Sequence, residues 1–314
     1  MKKLACITAF ITYSLSWSPA SHASVDLQQV DAFIQSVSSE HKLDPLWVRD
    51  IISQAQHQQS IIDAMNRPAE KVLQWHEYRN IFIQPERVTA GMEFWEKHAQ
   101  TLNKVSEETG VPVQYILGII GVETYYGRIM GKHQVLDALY TLAFDYPKRS
   151  KFFTKELKHF LLLAHEQHVE PLSAKGSYAG AMGFGQFMPS SYRSYAVDFE
   201  QDEKIDLLNN PADAIASVAN YLKAHGWKSS QPIVSATKKP NFNGPYNKLK
   251  PHTKLQNSDT EVTLLELQGP EAKEYWVGYH NFYVISRYNH SHMYVMAVHQ
   301  LAEKLMAAKG EQQL

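Results

Sequence analysis

The sequence predicts a mainly helical protein with a small β-containing region, an α+β fold in which helices dominate. Three features predict it. Apolar residues recur at helical spacing along most of residues 26–227. Residues 228–260 are instead rich in Pro, Asn, Lys, Ser and Gly, and strand-like runs follow at 261–267 and 275–279. Helical spacing returns at 291–308, so we expect the β region to be inserted in a helical protein.

The N-terminus has the features of a secretory signal peptide covering residues 1–23. Two lysines precede an apolar-leaning stretch, residues 4–17, which is too short to cross a bilayer. Small residues at 21 and 23, in Ser21-His22-Ala23, suit a signal peptidase, and a retained membrane anchor is the alternative interpretation. A lipoprotein signal would place a Cys after the apolar stretch, whereas Cys6 precedes it, which argues against a lipid anchor. We therefore expect export to the periplasm.

The composition excludes several classes of function. Hydrophobic residues make up 44% and charged residues 20% of the chain, which is typical of a globular protein. Cys6 is the only cysteine, so a mature chain without residues 1–23 has no disulfide, thiol catalyst or thiolate metal site. The 31 basic and 32 acidic side chains leave no basic excess for nucleic-acid binding. A polyanionic partner would have to bind through local groups.

We interpret residues 24–110 as an N-terminal helical region. Residues 26–64 have helical spacing, and Asp44-Pro45 resembles a helix start, with Asp as the N-cap and Pro at the first helical position. The spacing predicts one further amphipathic helix over 86–108. Gly110 would end it.

Residues 111–227 are predicted to form the core. One helix should run from about Val111 to Tyr126, with Gly127 ending it. The remaining predicted helices of this region are 134–144, 150–168, 188–196 and 211–224. Residues 228–285 form the small β unit, and 286–314 contribute a C-terminal helix that packs back on the core.

Glu123 is the strongest candidate for catalysis. It lies in the last turn of the most apolar helix, after Ile119, Ile120 and Val122. Low polarity and the helix dipole at this end both disfavour an ionised carboxylate. A carboxyl that stays protonated near neutral pH can protonate a glycosidic oxygen. The alternative is a buried glutamate satisfied by a structural partner.

A second unusual stretch spans residues 176–190. Four glycines and two alanines would let this backbone approach another surface closely, and aromatic residues, Met and one Gln are interleaved with them. Apolar rings and hydrogen-bonding groups together suit a sugar. A phosphate-binding loop is the competing function, but the P-loop pattern and its Lys are missing. A flexible loop would usually be more polar.

Four motifs in order carry a family resemblance: GVETYYG at 121–127, SYAGAMGFGQFMPSSY at 177–192, ANYLKAHGW at 219–227 and NFYVISRYN at 281–289. Together they resemble the family of membrane-bound lytic murein transglycosylase B and its soluble form. The resemblance spans about residue 26 to the C-terminal helix. It implies a lysozyme-like helical catalytic core, a further helical domain and a small β domain.

The resemblance also implies residue roles. Glu123 matches the catalytic acid/base, and Arg149 matches one of two adjacent basic residues that meet the peptide or lactyl carboxylate. Lys148 occupies the position of the other, which is often Arg, and so lacks the bidentate fork. The remaining residues that match groups lining the saccharide cleft are Tyr78, Ser177, Gln186, Tyr221, Tyr288, Asn289 and Tyr294.

In relatives, an EF-hand-like calcium loop occupies the position of residues 198–213. Oxygen ligands at alternate positions fit: Asp198, Glu200, Asp202, the Lys204 carbonyl and later Asp213. The sixth loop position is Glu203 where Gly is needed, and position twelve is Asn209 rather than an acid. Calcium binding and a solvated acidic loop therefore both remain open. No HExxH pattern occurs, so a zinc hydrolase has little support.

The implied reaction is cleavage of the β-1,4 bond between N-acetylmuramic acid and N-acetylglucosamine in peptidoglycan, without a required cofactor. The muramyl 6-hydroxyl would attack the anomeric carbon and leave a 1,6-anhydromuramyl end. A hydrolytic muramidase and a non-catalytic peptidoglycan-binding protein are the alternatives. An ordinary glycosidase would need a second carboxylate, and no strong candidate lies in the motifs around Glu123.

Overall fold

The computed structural model describes residues 26–66, 73–167, 169–255 and 259–311. The predicted signal peptide lies outside these residues. Within them, thirteen helices surround one large apolar core, and a four-stranded sheet packs against one side. None of the helices in these ranges is both long and apolar enough to span a membrane.

Six helices form the first part of the chain. They are α1 (Leu27–His41), α2 (Pro45–Ser53), α3 (Gln59–Asn66), α4 (Trp75–Phe82), α5 (Pro85–Lys97) and α6 (Ala99–Thr109). The Asp44 side chain caps α2 by accepting from the Leu46 N–H at 2.9 Å, which confirms the predicted helix start. The single helix predicted over 86–108 is wrong, because the backbone leaves helical geometry at His98 and separates α5 from α6.

The next elements build the centre of the molecule. They are α7 (Val113–Thr124), β1 (His133–Gln134), α8 (Val135–Asp145), α9 (Ser150–Gln167), β2 (Lys175–Gly176), α10 (Pro189–Tyr195) and α11 (Pro211–Ala224). Each predicted helix of this region is confirmed within about two residues. Residues 115–122 of α7 are all buried, so α7 is the central helix rather than an amphipathic surface helix.

The sheet and the last two helices complete the fold. They are β3 (Val234–Thr237), β4 (Thr253–Lys254), β5 (Glu261–Gln268), β6 (Lys273–Gly278), α12 (His280–Ser286) and α13 (His292–Glu311). The strands pair antiparallel in the order β3-β6-β5-β4. Leu265 and Leu267 of β5 alternate with Leu264 and therefore face the main core, whereas Leu264 joins a small cluster on the other face.

Gly118 allows α7 and α13 to pack closely. A Cβ at this position would lie 2.8 Å from the Val298 carbonyl oxygen and 3.3 Å from a Val298 methyl. Backbone cannot yield as a flexible side chain can, so the two helices would have to separate. This contact fixes α13, and therefore Tyr294, against the helix that carries Glu123.

We expect Gly118→Ala to lower the free energy of unfolding by about 1–3 kcal/mol, because the steric cost exceeds the gain in helix propensity. Gly310→Ala is the matched control, since a Cβ at Gly310 in α13 meets nothing within 4 Å. The control should be neutral or slightly stabilising. Urea unfolding of both variants measures the difference, and equal stabilities would show that the helices can separate freely.

Candidate active site

Glu123 lies where α7 ends. Tyr125 and Tyr126 adopt left-handed backbone angles, with φ of 53° and 58°, and the Tyr125 N–H donates to the Gly121 carbonyl at 3.1 Å. These residues stop the helix one turn after its buried middle. Glu123 as a residue is partly exposed. It therefore combines an apolar environment with access from outside.

Within the described ranges, one hydrogen bond holds the Glu123 carboxyl. The Tyr294 hydroxyl of α13 donates to Glu123 Oε1 at 2.6 Å. Burial raises the pKa of Glu123 to about 7, and the hydrogen bond from Tyr294 opposes this shift only in part. None of the ion pairs among the described residues includes Glu123. The carboxyl is thus poised to lose or gain a proton near neutral pH.

Tyrosines from separate elements surround this carboxyl. Burial and the charge of Glu123 raise the pKa of Tyr288 well above its usual value. Burial and Glu123 likewise raise the pKa of Tyr294, and Tyr288 and Tyr78 add to this shift. The Tyr288 ring lies 4.7 Å from that of Tyr221. The Tyr221 hydroxyl donates to the backbone at residue 287, at 2.6 Å. The four sequence-predicted tyrosines therefore form one cluster at Glu123.

Hydrogen bonds hold the loop at 176–188 beside the end of α7 and Tyr288. The Thr124 hydroxyl donates to the Phe184 carbonyl at 2.8 Å and accepts from the Gly127 N–H at 3.0 Å. The Tyr288 hydroxyl donates to the Gly185 carbonyl at 2.6 Å. Sequence reasoning missed Thr124, although a buried hydroxyl next to the candidate acid was a signal for such a contact.

Gln186 and Ser177 shape this loop from within. Gln186 has φ of 50°, and its Nε2 donates to the Met130 carbonyl at 3.1 Å and to the Gly183 carbonyl at 3.0 Å. Ser177 Oγ accepts from the N–H groups of residues 179 and 181, at 3.3 and 3.1 Å. Both side chains are partly exposed and fix the loop next to Glu123.

Gly183 explains why the loop is rich in glycine. Its φ is +71°, and a Cβ would lie 2.2 Å from the Leu207 carbonyl oxygen. The Phe184 N–H donates to that same carbonyl at 3.1 Å. The predicted close approach of this backbone to another surface is therefore confirmed.

Arg149 and Asn289 are the two remaining predicted site residues, and their contacts among the described residues are local. Arg149 is exposed just before α9, with its guanidinium 4.3 Å from the Phe152 ring centre. Stacking on a ring leaves the guanidinium N–H groups pointing outward, available to an anion. Asn289 follows Tyr288 and is partly exposed, and its carbonyl accepts from the Ser291 N–H at 2.8 Å.

The carboxylates of the acidic loop at 198–213 accept hydrogen bonds from the loop's own backbone. Asp198 accepts from the backbone at residues 201 and 203, at 2.6 and 2.8 Å. Asp213 is buried and accepts from the backbone at 199 and 206 through its two oxygens, and Lys204 lies 3.3 Å from Asp206.

The other two candidate carboxylate ligands of that loop are engaged in the same way. Glu200 accepts from Asn210, and Asp202 from the Lys204 N–H. Over the part of the chain that is described, no three His, Cys, Asp or Glu side chains are grouped to hold a metal. The carboxylates therefore order the loop's own backbone.

Comparison with known proteins places this geometry in a family. The family described as Transglycosylase SLT domain matches residues 26–303. Membrane-bound lytic murein transglycosylase B of Escherichia coli (strain K12) is 44% identical over 299 residues, which cover 88% of this chain and 82% of that protein.

Solved structures are similar over nearly the whole described chain. Soluble lytic transglycosylase SltB1 from Pseudomonas aeruginosa is 46% identical with a TM-score of 0.86, covering 90% of this chain and 99% of that one. SltB3 from the same organism, in complex with NAG-anhNAM-pentapeptide, is 30% identical with a TM-score of 0.79, covering 89% and 79%. Escherichia coli Slt35 in complex with calcium is 40% identical with a TM-score of 0.83, covering 92% and 95%.

These likenesses confirm the lysozyme-like helical fold with its small β unit that the sequence motifs implied. The family match covers most of the chain, and the identities are far above the level at which only the fold is shared. The chain therefore belongs to the Transglycosylase SLT domain family, together with these lytic transglycosylases.

Proposed function

We infer that the protein is a lytic murein transglycosylase. It cleaves the β-1,4 bond between N-acetylmuramic acid and N-acetylglucosamine in peptidoglycan and forms 1,6-anhydromuramyl ends. One observation carries this conclusion: a partly exposed glutamate with a pKa of about 7 is held by a tyrosine hydroxyl in a tyrosine-lined site. Lytic transglycosylases of the same family match the chain over most of its length.

We propose that Glu123 first acts as the general acid. Burial keeps its carboxyl protonated at neutral pH, so it can give its proton to the bridging glycosidic oxygen as the bond breaks. The resulting carboxylate is stabilised by the hydrogen bond from Tyr294. The same carboxylate then accepts the proton of the muramyl 6-hydroxyl as that oxygen attacks the anomeric carbon.

The attack by the muramyl 6-hydroxyl explains why the reaction needs only one catalytic carboxyl group. Retaining and inverting glycosidases place a second carboxylate about 5–9.5 Å from the acid. Only burial and Tyr294 shift the pKa of Glu123, and no carboxylate of the described residues contributes. Attack by the sugar's own hydroxyl needs no bound water and gains from effective molarity, worth up to about 7–11 kcal/mol in well-oriented cases.

The surrounding residues are proposed to bind and orient the glycan. Aromatic rings and ordered backbone groups suit the apolar faces and hydroxyl edges of a sugar. Arg149, with Lys148 beside it, would meet the peptide or lactyl carboxylate. The proposed cleft residues are Tyr78, Ser177, Gln186, Tyr221, Tyr288, Asn289 and Tyr294.

Mass analysis of digested peptidoglycan tests the reaction directly. Anhydromuramyl products weigh one water less than the reducing ends that a hydrolytic muramidase releases. We expect anhydro ends to dominate. Reducing ends as the main product would identify a hydrolase, and a failure to release any muropeptide would indicate a binding protein.

The pKa of Glu123 predicts the dependence of activity on pH. The acid must be protonated to start the reaction, so kcat/KM should be highest below its pKa and fall as pH rises past about 7. Initial rates on soluble glycan chains between pH 5 and 9 measure this fall in kcat/KM. A constant kcat/KM across that range would rule out a titrating acid with this pKa.

We propose that residues 1–23 are a cleaved signal peptide and that the mature enzyme acts in the periplasm. The N-terminal sequence pattern and the location of the peptidoglycan substrate support this. We further propose a division into a helical region (24–110), a catalytic core (111–227), a β unit (228–285) and a C-terminal helix (286–314). No step of the proposed reaction requires a metal ion or other cofactor.

A further inference from the structure

A pocket of about 370 Å³ opens between the end of the sheet and the first turns of α4 and α13. Three side-chain amides, an ion pair and an imidazole line it. They are Gln74, Asn247, Gln268, Glu266, Lys273 and His292. None of them belongs to the residues proposed above to act on the glycan.

The pocket adjoins the proposed active site along both helices. His292 and Met293 line it, and the next residue of α13 is Tyr294, whose hydroxyl donates to Glu123. Trp75 of α4 also lines it and precedes Tyr78 by one turn. Residues one turn apart on a helix are separated by about 5.4 Å along its axis. A chain attached to a sugar in the cleft would therefore have only a short distance to cover.

The wall chemistry does not suit a further sugar. Trp75 is only 2% exposed, so its ring offers no face on which a pyranose could stack. Its indole Nε1 donates to no acceptor among the described residues, which leaves one polar group of this wall unmatched by the protein. The exposed groups of the wall are amides and charges instead.

These groups match a peptide that carries free carboxylates and an amine. Asn247 uses both of its amide groups on the Glu266 backbone, whereas Gln268 donates to the Gly269 carbonyl and keeps its amide oxygen as an acceptor for a peptide N–H. Lys273 donates to Glu266 at 2.7 Å and stays 53% exposed, which leaves two N–H groups for a carboxylate. Glu266 is 28% exposed and can accept from an ammonium group. The stems on muramic acid contain amides, carboxylates and a free amine, and extend about 3.3 Å per residue.

We propose that this pocket binds the peptide stem of the glycan strand whose sugars occupy the cleft at Glu123. The proposal rests on the proposed function and deepens it, because it makes the enzyme sensitive to whether its substrate carries stems. The pocket is separate from Arg149, which lies before α9.

The test compares two soluble substrates: glycan chains with pentapeptide stems, and the same chains after an amidase has removed the stems. Lys273→Gln should lower the ratio of kcat/KM for stem-bearing over bare chains by about three- to tenfold, the size expected for one exposed charged contact. Lys250→Gln is the matched control, because Lys250 is exposed on the same β unit and does not line the pocket. Its ratio should equal that of the wild type.

A second measurement does not depend on turnover. Isothermal calorimetry with a stem-bearing disaccharide on the Glu123→Gln protein, with and without Lys273→Gln, should show the same three- to tenfold weakening. An unchanged ratio and affinity for Lys273→Gln, or an equal fall for Lys250→Gln, would overturn the proposal. A wild type that cleaves neither substrate would overturn the proposed function, while the calorimetric comparison would still decide the pocket.

Discussion

Glu123→Gln should reduce the release of anhydromuropeptides by at least about a thousandfold, because the amide can neither give a proton to the glycosidic oxygen nor accept one from the 6-hydroxyl. Glutamine keeps the shape of the side chain and an oxygen that accepts from Tyr294. Fold and glycan binding should therefore be nearly unchanged. Turnover of purified sacculi and calorimetry with a soluble glycan measure the two properties separately.

Glu107→Gln is the matched control for this loss, since Glu107 is exposed on α6 and its change should leave the rate unaltered. A Glu123→Gln variant that keeps more than about a tenth of the wild-type rate would remove Glu123 from the mechanism.

The same substitution should change how stability depends on pH. Burial raises the pKa of Glu123 from 4.5 to about 7 in the folded protein, so between these values the folded state binds a proton that the unfolded state has lost. Stability is then lost as pH rises, by up to about 3 kcal/mol once pH exceeds 7. Glu123→Gln avoids this loss and should gain stability relative to the wild type between pH 4 and 8. Urea unfolding at both pH values measures the gain.

Tyr294→Phe should lower kcat/KM by about ten- to a hundredfold, the effect of losing one hydrogen bond to a charged group. The hydroxyl lowers the pKa of Glu123 by donating to its carboxylate. Without it the pKa rises, so the carboxyl becomes a weaker acid and the fall of activity at high pH should shift upward. The pH dependence of kcat/KM measures both effects.

Tyr283→Phe is the matched control, because Tyr283 is partly exposed on α12 and should leave the profile unaltered. If Tyr294→Phe lowers kcat/KM but the fall of activity at high pH stays at the wild-type pH, the Tyr294 hydroxyl does not act on the pKa of Glu123. Tyr294 would then have only a packing role.

Local patterns explain what could be predicted without the structure. The apolar run before Glu123 predicted a buried helix end, and α7 ends one residue after it. Asp44-Pro45 predicted the start of α2, because a cap depends only on its own first turn. By contrast, α4 and the break at His98 were missed, although Glu77 accepts from the Gln74 N–H at 2.8 Å and thus marks the start of α4 locally.

In the candidate site, too, the motifs predicted residues, whereas the contacts between them depend on the fold. The motifs indicated several tyrosines, but the hydrogen bond from Tyr294 to Glu123 joins residues 171 positions apart. The link from Thr124 to Phe184 spans 60 positions. The oxygen pattern at 198–213 was compatible with calcium, but the fold directs Asp198 and Asp213 to backbone N–H groups.

The sequence by itself determined most of the helices and the two longest strands, which glutamate meets an apolar environment, and which family the motifs resemble. Only the tertiary structure decided which hydroxyl touches that glutamate, how the glycine-rich loop is fastened, and that a polar pocket lies next to the tyrosine cluster. The physical reason is the distance along the sequence over which each interaction acts. Periodicity and helix caps depend on residues a few positions apart, whereas these contacts form only when elements far apart in the sequence pack against each other.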